Sequence, residues 1–163
     1  MSIVGEIMLI SDGSNLTDLY IKGQDGFDCD GLIMKEDLEI FRIVCNWLDD
    51  YFRGENPTIN FHIKLEGSEF KKEVWNILRD IPYGKVISYK DVTMKMKSGN
   101  KAFQAVGSAV GKNPISIIVP CHRVIGSNFK IGGYNGGIDL KRKLLEIEGI
   151  EVRDMEVIIK ENK

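Results

Sequence analysis

Residues 117–125 read Ile-Ile-Val-Pro-Cys-His-Arg-Val-Ile and combine an apolar run with two reactive side chains. The β-branched run 117–119 predicts a short buried strand. Pro120 cannot donate to a strand ladder and fixes its own φ, so it predicts a rigid turn that presents the thiol of Cys121. His122, one of only two histidines in the chain, follows directly. A thiol beside an imidazole is typical of nucleophilic catalysis, although a lone Cys among apolar residues is more often a small buried hydrophobe.

The composition limits the class of protein. The chain has 163 residues, 43% of them apolar, so it can bury a real core as one domain or as two small ones. It has no apolar run of the length that a membrane span needs, and its first residues lack the pattern of a secretion signal. Cysteines at positions 29, 45 and 121 form an odd set, which argues against a disulfide framework. We therefore expect a cytoplasmic protein with no membrane partner and a free thiol at Cys121.

Charge is distributed unevenly along the chain. Residues 1–60 hold 12 acids and 4 bases, whereas residues 61–163 hold 12 acids and 18 bases. Within residues 84–132, eight bases accompany a single acid, Asp91. Charge runs are usually solvated faces, but a basic segment around a candidate nucleophile favours a polyanionic partner.

The first part of the chain, residues 1–64, predicts a small α+β domain. Strands are expected at 3–10 and 16–21, joined by a turn that contains Gly13. Helical spacing of apolar residues predicts a helix over 35–52 with Cys45 on its buried face, and a short strand is expected at 59–63. Cys29, Cys45 and His62 lack the spacing of metal ligands, so we predict no metal site.

The second part, residues 65–163, predicts a mainly helical domain, so the chain as a whole belongs to the α/β class in its α+β form. Ser68 is expected to cap a helix that runs to about residue 80. Two further helices, over 89–97 and 101–112, flank a short turn that contains Gly99, which is the outline of a helix-turn-helix. A helix over 138–147 and an edge strand over 156–160 complete the prediction.

The helix over 101–112 has two distinct faces. Phe103, Val106 and Val110 are expected to point into the core. The opposite face is small in its middle and cationic at its ends, and it carries Lys101, Gln104, Ala105, Ser108 and Lys112. A slender helix of this kind can enter a DNA groove while its lysines meet phosphates, although small residues also allow tight helix packing.

Seven motifs along residues 70–149, half of the chain, resemble the O6-alkylguanine-DNA alkyltransferase family. They are IPYG at 81–84, SY at 88–89, AVG at 105–107, GKNP at 111–114, PCHRV at 120–124, GGYNGG at 132–137 and LLEIEG at 144–149. The resemblance implies DNA repair by direct and irreversible transfer of the alkyl group from O6-alkylguanine to the Cys121 thiolate, once per protein molecule. It implies no cofactor and leaves open whether O4-alkylthymine is also repaired.

The family pattern also implies roles for individual residues. His122 would take the thiol proton through a water, and Glu148 would orient the imidazole, as in a catalytic triad. Asn113 would brace the Cys121 turn, and Tyr89 would donate its phenolic proton toward guanine N3 as the base leaves. The pocket for the base would be lined by Pro114, Val124, Tyr134, Asn135 and Gly136.

The resemblance further implies a monomer that binds double-stranded DNA in the minor groove and flips the damaged nucleotide out of the stack. The residues expected to bind DNA are Tyr89, Lys90, Asn100, Lys101, Gln104, Ala105, Ser108, Arg123 and Ser127. Gln104 departs from the pattern, because the family usually places an intercalating Arg there. A Gln fills space but carries no charge, so we expect weaker or slower engagement of duplex DNA with the chemistry intact.

Two other interpretations compete with alkyl transfer. A lesion-binding module would flip alkylated guanine and recruit other repair proteins, but relatives of that kind replace the cysteine that this chain keeps at position 121. A Cys-His hydrolase would need an oxyanion hole and turnover, for which the sequence offers no other sign. Titration of the protein with damaged DNA would separate the three.

Overall fold

The computed structural model describes residues 2–98 and 102–160, which form five α-helices and three two-stranded sheets in an α+β fold. The elements are β1 (Ile7–Ser11), β2 (Leu16–Ile21), α1 (Glu39–Phe52), α2 (Glu69–Arg79), β3 (Ile87–Ser88), α3 (Tyr89–Lys95), α4 (Phe103–Gly111), β4 (Val124–Ile125), α5 (Ile138–Ile147), β5 (Glu151–Arg153) and β6 (Glu156–Ile158). No helix in these two ranges is both long and apolar enough to cross a bilayer.

Strand β2 connects the two parts of the chain. It pairs antiparallel with β1, so that Leu19 lies opposite Leu9. On its other side, the N–H of Leu19 donates to the carbonyl of Pro114 at 2.8 Å, and the N–H of Ser116 donates to the carbonyl of Leu19 at 3.0 Å. One hydrophobic cluster therefore contains Leu19 together with Leu144 of α5. The division into domains 1–64 and 65–163 stays a prediction, and the two parts share this core.

The helix-turn-helix is placed by capping and packing. Ser68 accepts from the N–H of Lys71 at 3.3 Å and begins α2, as the sequence predicts. Ser88 and Asp91 form a reciprocal capping box at the start of α3. Helix α4 packs against α2 and α3, and the indole N–H of Trp75 donates to the carbonyl of Ala109 at 2.8 Å. This bond fixes α4 from its buried side and leaves the opposite side open.

Short parallel pairing brings the nucleophile's segment to this helical unit. Ile87 of β3 lies beside Val124 of β4, directly after the Cys-His-Arg turn. Beyond α5, β5 pairs antiparallel with β6, Val152 opposite Val157. The predicted edge strand is therefore the second half of a hairpin whose first strand the sequence did not suggest.

Two predicted strands are wrong. Residues 117–119 form turns, and Ile117 has φ 71° in the left-handed region, where a β-branched residue is a true outlier. The chain cannot run extended here because it must reverse between Ser116, which bonds to β2, and Cys121. Residues 59–63 contribute only a single bridge from Ile63 to Leu16. The first strand also begins later than predicted, since residues 2–5 form a turn closed by the N–H of Gly5 on the carbonyl of Ser2.

Two burial predictions are also wrong. Cys45 is exposed, because the buried face of α1 is set by Trp47 and Tyr51, which the prediction did not use. Phe103 is 55% exposed, because the buried face of α4 lies in its later turns, at Val106, Ala109 and Val110.

Candidate active site

Cys121 begins a single 3-10 turn, Cys121–Arg123, and its side chain is buried with 6% exposed. The amide nitrogen of Asn113 lies 3.1 Å from its sulfur and also donates to the carbonyl of Val119 at 2.6 Å. The amide oxygen of Asn113 accepts from the N–H of Ile115 at 3.0 Å. Asn113 therefore links the segment before the turn to the sulfur at its start, and these contacts are consistent with the bracing role predicted for it.

The pKa of the Cys121 thiol reflects opposing influences. Burial raises this pKa above its usual value, because a thiolate loses its hydration in the interior. The hydrogen bond from Asn113, the neighbouring hydroxyl of Tyr134 and the charge of Lys141 act in the opposite direction. The resting thiol is therefore protonated and needs a base before it can act as a nucleophile.

The candidate base is His122, which is positioned by a buried network of hydrogen bonds and ion pairs. Nε2 of His122 lies 2.6 Å from Oε1 of Glu148, and both side chains are 0% exposed. Burial lowers the pKa of His122, which favours the neutral imidazole. Burial alone would raise the pKa of Glu148, but its bonds to His122 and Arg123 outweigh burial and lower it to about 2. The ionised carboxylate can only accept, so Nε2 carries the proton of the neutral ring.

Nδ1 of His122 is therefore the free lone pair of the imidazole. Within the part of the chain that the structure describes, this buried atom has no hydrogen-bond partner. Its ring is held from the other side by Glu148, and His122 is the immediate neighbour of Cys121. The arrangement supplies a neutral base with its accepting nitrogen directed away from the carboxylate.

The carboxylate of Glu148 is held by four other groups besides His122. Nε and Nη2 of Arg123 donate to it at 2.9 Å, and the N–H of Gly84 donates at 3.0 Å. The hydroxyl of Tyr51 donates at 2.8 Å. Glu148 is the C-cap residue of α5, where a negative charge opposes the helix dipole. These donors explain why a charged residue can remain buried there.

The side chain of Arg123 takes part in this network. Its side chain is 11% exposed, and Nη1 donates to the carbonyl of Ile81 at 2.6 Å. Its guanidinium also lies 5.8 Å from the ring centroid of Tyr83. In this structure the guanidinium of Arg123 is the counter-ion of Glu148, and its DNA-binding role stays a prediction.

Of the residues predicted to form the base pocket, Tyr134 lies against Cys121, and Asn135 and Gly136 follow it in the chain. We call residues 132–137 the lid loop. Burial raises the pKa of Tyr134 well above its usual value, and its buried hydroxyl faces the sulfur of Cys121 without the geometry of a full hydrogen bond. The carbonyl of Asn135 accepts from the side chain of Gln24 at 3.0 Å. Gly136 has φ +96°, a conformation that favours glycine.

The remaining pocket predictions differ in exposure. Val124 is fully buried, and Pro114 is half-buried with its carbonyl bonded to β2. Tyr89 is half-buried at the start of α3, beside the lid loop, where a Cβ on Gly132 would lie 3.6 Å from its ring. Burial raises the pKa of Tyr89, and a negative charge on Cys121 adds to the effect. The hydroxyl of Tyr89 is thus a protonated donor near the sulfur.

Lys141 is a site residue that the sequence did not indicate. It is fully buried on α5, and its ammonium donates to the carbonyls of Val124 at 2.5 Å and Gly133 at 3.2 Å. Burial lowers its pKa to about 8, while the charge of Cys121 acts in the opposite direction. The only signal in the sequence was its spacing, three and four residues before the buried Leu144 and Leu145. Tyr51 and Gln24 were missed as well, since each approaches the site from the first part of the chain.

The open side of α4 carries three of the nine predicted DNA-binding residues. Gln104 and Ser108 are exposed and Ala105 is half-buried on this helix. Lys90, which follows Tyr89, is exposed, and so is Ser127, which lies shortly after the Cys121 turn. Asn100 and Lys101 lie outside the described residues. In the described ranges, no group of three His, Cys, Asp or Glu residues lies close enough to hold a metal ion.

Comparison with known proteins agrees with this site. The family model described as the DNA-binding domain of 6-O-methylguanine DNA methyltransferase matches residues 69–150. A methylated-DNA–protein-cysteine methyltransferase of Methanosarcina acetivorans is 42% identical over 91% of this chain and 94% of its own length. The protein of that name from Haemophilus influenzae is 36% identical over 94% of this chain and 86% of its own.

Solved structures show the same relationship. The crystal structure of Mycobacterium tuberculosis OGT in complex with DNA superposes with a TM-score of 0.81 at 39% identity, covering 89% of this chain and 87% of that one. The crystal structure of an O6-methylguanine DNA methyltransferase from Methanococcus jannaschii covers 96% of this chain and 93% of its own, with a TM-score of 0.65 and 32% identity. With the His122–Glu148 pair beside Cys121, these similarities establish that the chain belongs to the O6-methylguanine-DNA methyltransferase family.

Proposed function

We propose that this protein repairs O6-alkylguanine in double-stranded DNA by moving the alkyl group onto its own Cys121. The observation that carries the proposal is the buried 2.6 Å contact between His122 and Glu148 beside a thiol held by Asn113. A lesion-binding module would have no use for a base aligned next to a thiol. Relatives named methylated-DNA–protein-cysteine methyltransferase support the same chemistry.

In the proposed step, Nδ1 of His122 takes the proton of Cys121 through a bridging water, and the thiolate attacks the alkyl carbon. A sulfur–carbon bond forms while the bond from that carbon to O6 breaks. The electron pair of the broken bond passes into the guanine, which accepts a proton at N3 from the hydroxyl of Tyr89. The imidazolium of His122 then gives up its proton to water, and the phenolate of Tyr89 takes one back from water. In the net reaction the thiol proton therefore replaces the alkyl group on guanine, and no oxidant, metal or cofactor is consumed.

The thioether that results has no easy leaving path, so each protein molecule would react once. Because the Cys121 thiol is only 6% exposed, the damaged base has to leave the helical stack and enter the pocket under the lid loop. We propose that α4 enters the minor groove with Gln104, Ala105 and Ser108 toward the DNA, and that the protein acts as a monomer. Two further cysteines that are free and exposed, Cys29 and Cys45, support a reducing cytoplasmic location.

The first test is intact-protein mass spectrometry after incubation with a duplex that contains O6-methylguanine, followed by peptide mapping. We expect a gain of one methyl group on the peptide that contains Cys121, saturating at one per protein, and none in Cys121→Ser. Cys45→Ser is the control, because it removes an exposed thiol away from the site. Binding without a gain in mass would favour the lesion-binding module, and repeated turnover would favour a hydrolase.

A further inference from the structure

Gln24 lies in the loop after β2, in the part of the chain where the sequence indicated no chemistry, and only 6% of it is exposed. Its amide oxygen accepts from the N–H of Ile21 at 2.8 Å and from the hydroxyl of Ser116 at 2.9 Å. Its amide nitrogen donates to the carbonyl of Asn135 at 3.0 Å. One side chain therefore ties together β2, the turn before Cys121 and the lid loop.

The neighbouring residue repeats the connection. The N–H of Asp25 donates to Oδ1 of Asn135 at 2.9 Å, and the carbonyl of Asp25 accepts from Nδ2 of Asn135 at 3.4 Å. A Cβ on Gly136 would lie 2.9 Å from Cγ of Gln24 and from Cδ2 of Leu140. The lid loop therefore rests directly on Gln24, with no room for a side chain between them.

We propose that Gln24 is a positioning residue for the substrate base, which sets the height of the lid loop above Cys121 and thereby the alkyl groups that fit. The inference rests on the proposed function and assigns part of its specificity to the first part of the chain. Asn135 and Gly136 lie directly after Tyr134, whose hydroxyl is buried in the site. A displacement of the lid loop by about 1 Å is enough to slow a reaction that depends on alignment by up to about 100-fold.

The chemistry of this position requires a primary amide. Two donors face the amide oxygen of Gln24 and one carbonyl faces its nitrogen, which fixes the orientation of the group. A carboxylate would still accept from Ile21 and Ser116 but would place an oxygen against the carbonyl of Asn135. A methionine would keep the volume and lose all three bonds. Gln24→Glu and Gln24→Met therefore disturb the lid loop by different routes.

The test is single-turnover alkylation of the full-length protein with two duplexes, one carrying O6-methylguanine and the other O6-benzylguanine. The limiting rate constant and the half-saturating DNA concentration are measured separately, together with affinity for undamaged duplex and the Tm. Asn46→Asp is the matched control, because it makes an amide-to-acid change at an exposed position of α1.

We expect both Gln24 variants to lower the limiting rate constant for the methyl substrate by about tenfold or more. The loss for the benzyl substrate should be about fivefold smaller than the loss for the methyl substrate, because a raised lid loop aligns a small group poorly and admits a large one. The affinity of both variants for undamaged duplex, which does not enter the pocket, should match that of the protein without substitutions. This change in selectivity would not follow from a general loss of stability.

Unchanged rate constants, or equal losses for the two alkyl groups, would overturn the proposal. If the Gln24 variants do not fold, Gly136→Ala displaces the lid loop by another route, because the added methyl group meets Gln24 and Leu140 and strains a backbone held at φ +96°. Unchanged selectivity there would be equally decisive. If the protein without substitutions never gains an alkyl group, the proposed function is refuted and this inference with it. An active protein with unaffected variants would refute this inference alone.

Discussion

The hydroxyl of Tyr51 donates a 2.8 Å hydrogen bond to Oε1 of Glu148, a residue 97 positions away in the chain. Tyr51 lies in the last turn of α1, is 1% exposed, and stacks on Trp47 with 5.5 Å between ring centroids. The same hydroxyl lies 3.4 Å from Nε2 of His122. The first part of the chain therefore supplies a direct partner of the carboxylate that orients the proposed base.

Tyr51→Phe keeps the stacked ring and removes only this hydrogen bond. Glu148 retains its bonds from His122, Arg123 and Gly84, so we expect the fold to persist. The rate constant for methyl transfer should fall about tenfold, since a hydrogen bond to a charged group contributes about 1.5 kcal/mol. Single-turnover methylation and the Tm measure the two effects.

Tyr20→Phe is the matched control for this change. It removes a hydroxyl that bonds to Asp18 at 3.2 Å in β2, away from the carboxylate. A Tyr51→Phe protein that transfers methyl groups as fast as the control would show that Arg123 and Gly84 hold Glu148 sufficiently by themselves.

The low pKa of Glu148 predicts a specific dependence of stability on pH. Its pKa is about 2, below the 4.5 of an unperturbed Glu, so its ionised form stabilises the fold above about pH 4.5. This contribution is lost as the pH falls through 4.5 toward 2. Glu148→Gln leaves the buried guanidinium of Arg123 without its counter-ion and should lower the free energy of unfolding by about 3–5 kcal/mol at pH 7.

Because protonation of Glu148 removes the same charge, the difference between the two proteins should shrink between pH 4.5 and 2. Urea denaturation at pH 7 and near pH 3 measures it. Glu146→Gln, at an exposed position of the same helix end, is the control and should show no such convergence. A difference that stays constant with pH would mean that the carboxylate of Glu148 is not the titrating group.

The sequence predicted the helices of the second part well, because their caps and apolar spacing are local signals. The Ser68 cap and the Ser88–Asp91 start of α3 need only a few residues to be recognised. Glu148 was predicted as the partner of His122 through the resemblance to the alkyltransferase family. Local signals were therefore sufficient wherever the structure is determined by neighbours in sequence.

The contacts that complete the site could not be predicted in this way. Tyr51 and Gln24 approach it across 97 and 111 positions, and nothing near either residue indicates its partner. Lys141 occupies an apolar face of α5 because two backbone carbonyls receive its ammonium, and a sequence does not show where carbonyls will converge. Residues 117–119 have high strand propensity, but bonds to β2 and to Asn113 bend them into a turn.

Lys141 predicts a change in the acidity of the nucleophile. Its ammonium lies close enough to lower the pKa of Cys121, against the effect of burial. Lys141→Met removes that charge, so the pKa of Cys121 should rise further. The ultraviolet absorbance of the thiolate as a function of pH measures the shift, in a protein with Cys29→Ser and Cys45→Ser.

Lys143→Met is the control, because Lys143 is exposed on the same helix. The ammonium of Lys141 is charged below about pH 8, and a negative charge on Cys121 keeps it charged to higher pH. The rise in thiolate absorbance should therefore come at higher pH in Lys141→Met than in Lys143→Met. Identical thiolate titrations would show that the charge of Lys141 does not contribute, and that neighbouring hydrogen-bonding groups such as Asn113 and Tyr134 oppose the effect of burial on Cys121 without it.

The last prediction concerns the open side of α4. Gln104 is exposed in its first turn, one helical turn before the exposed Ser108, and it stands where the family pattern places an Arg. Gln104→Arg should tighten binding to duplex DNA by about tenfold and make the logarithmic salt dependence steeper by about one. The rate constant for the free base O6-methylguanine should not change, because that reaction needs no contact with DNA.

Asn46→Arg adds the same charge on α1 and serves as the control for a general electrostatic effect. If Gln104→Arg repairs duplex DNA no faster than this control, the uncharged side chain at position 104 does not weaken engagement, and the hypothesis is wrong.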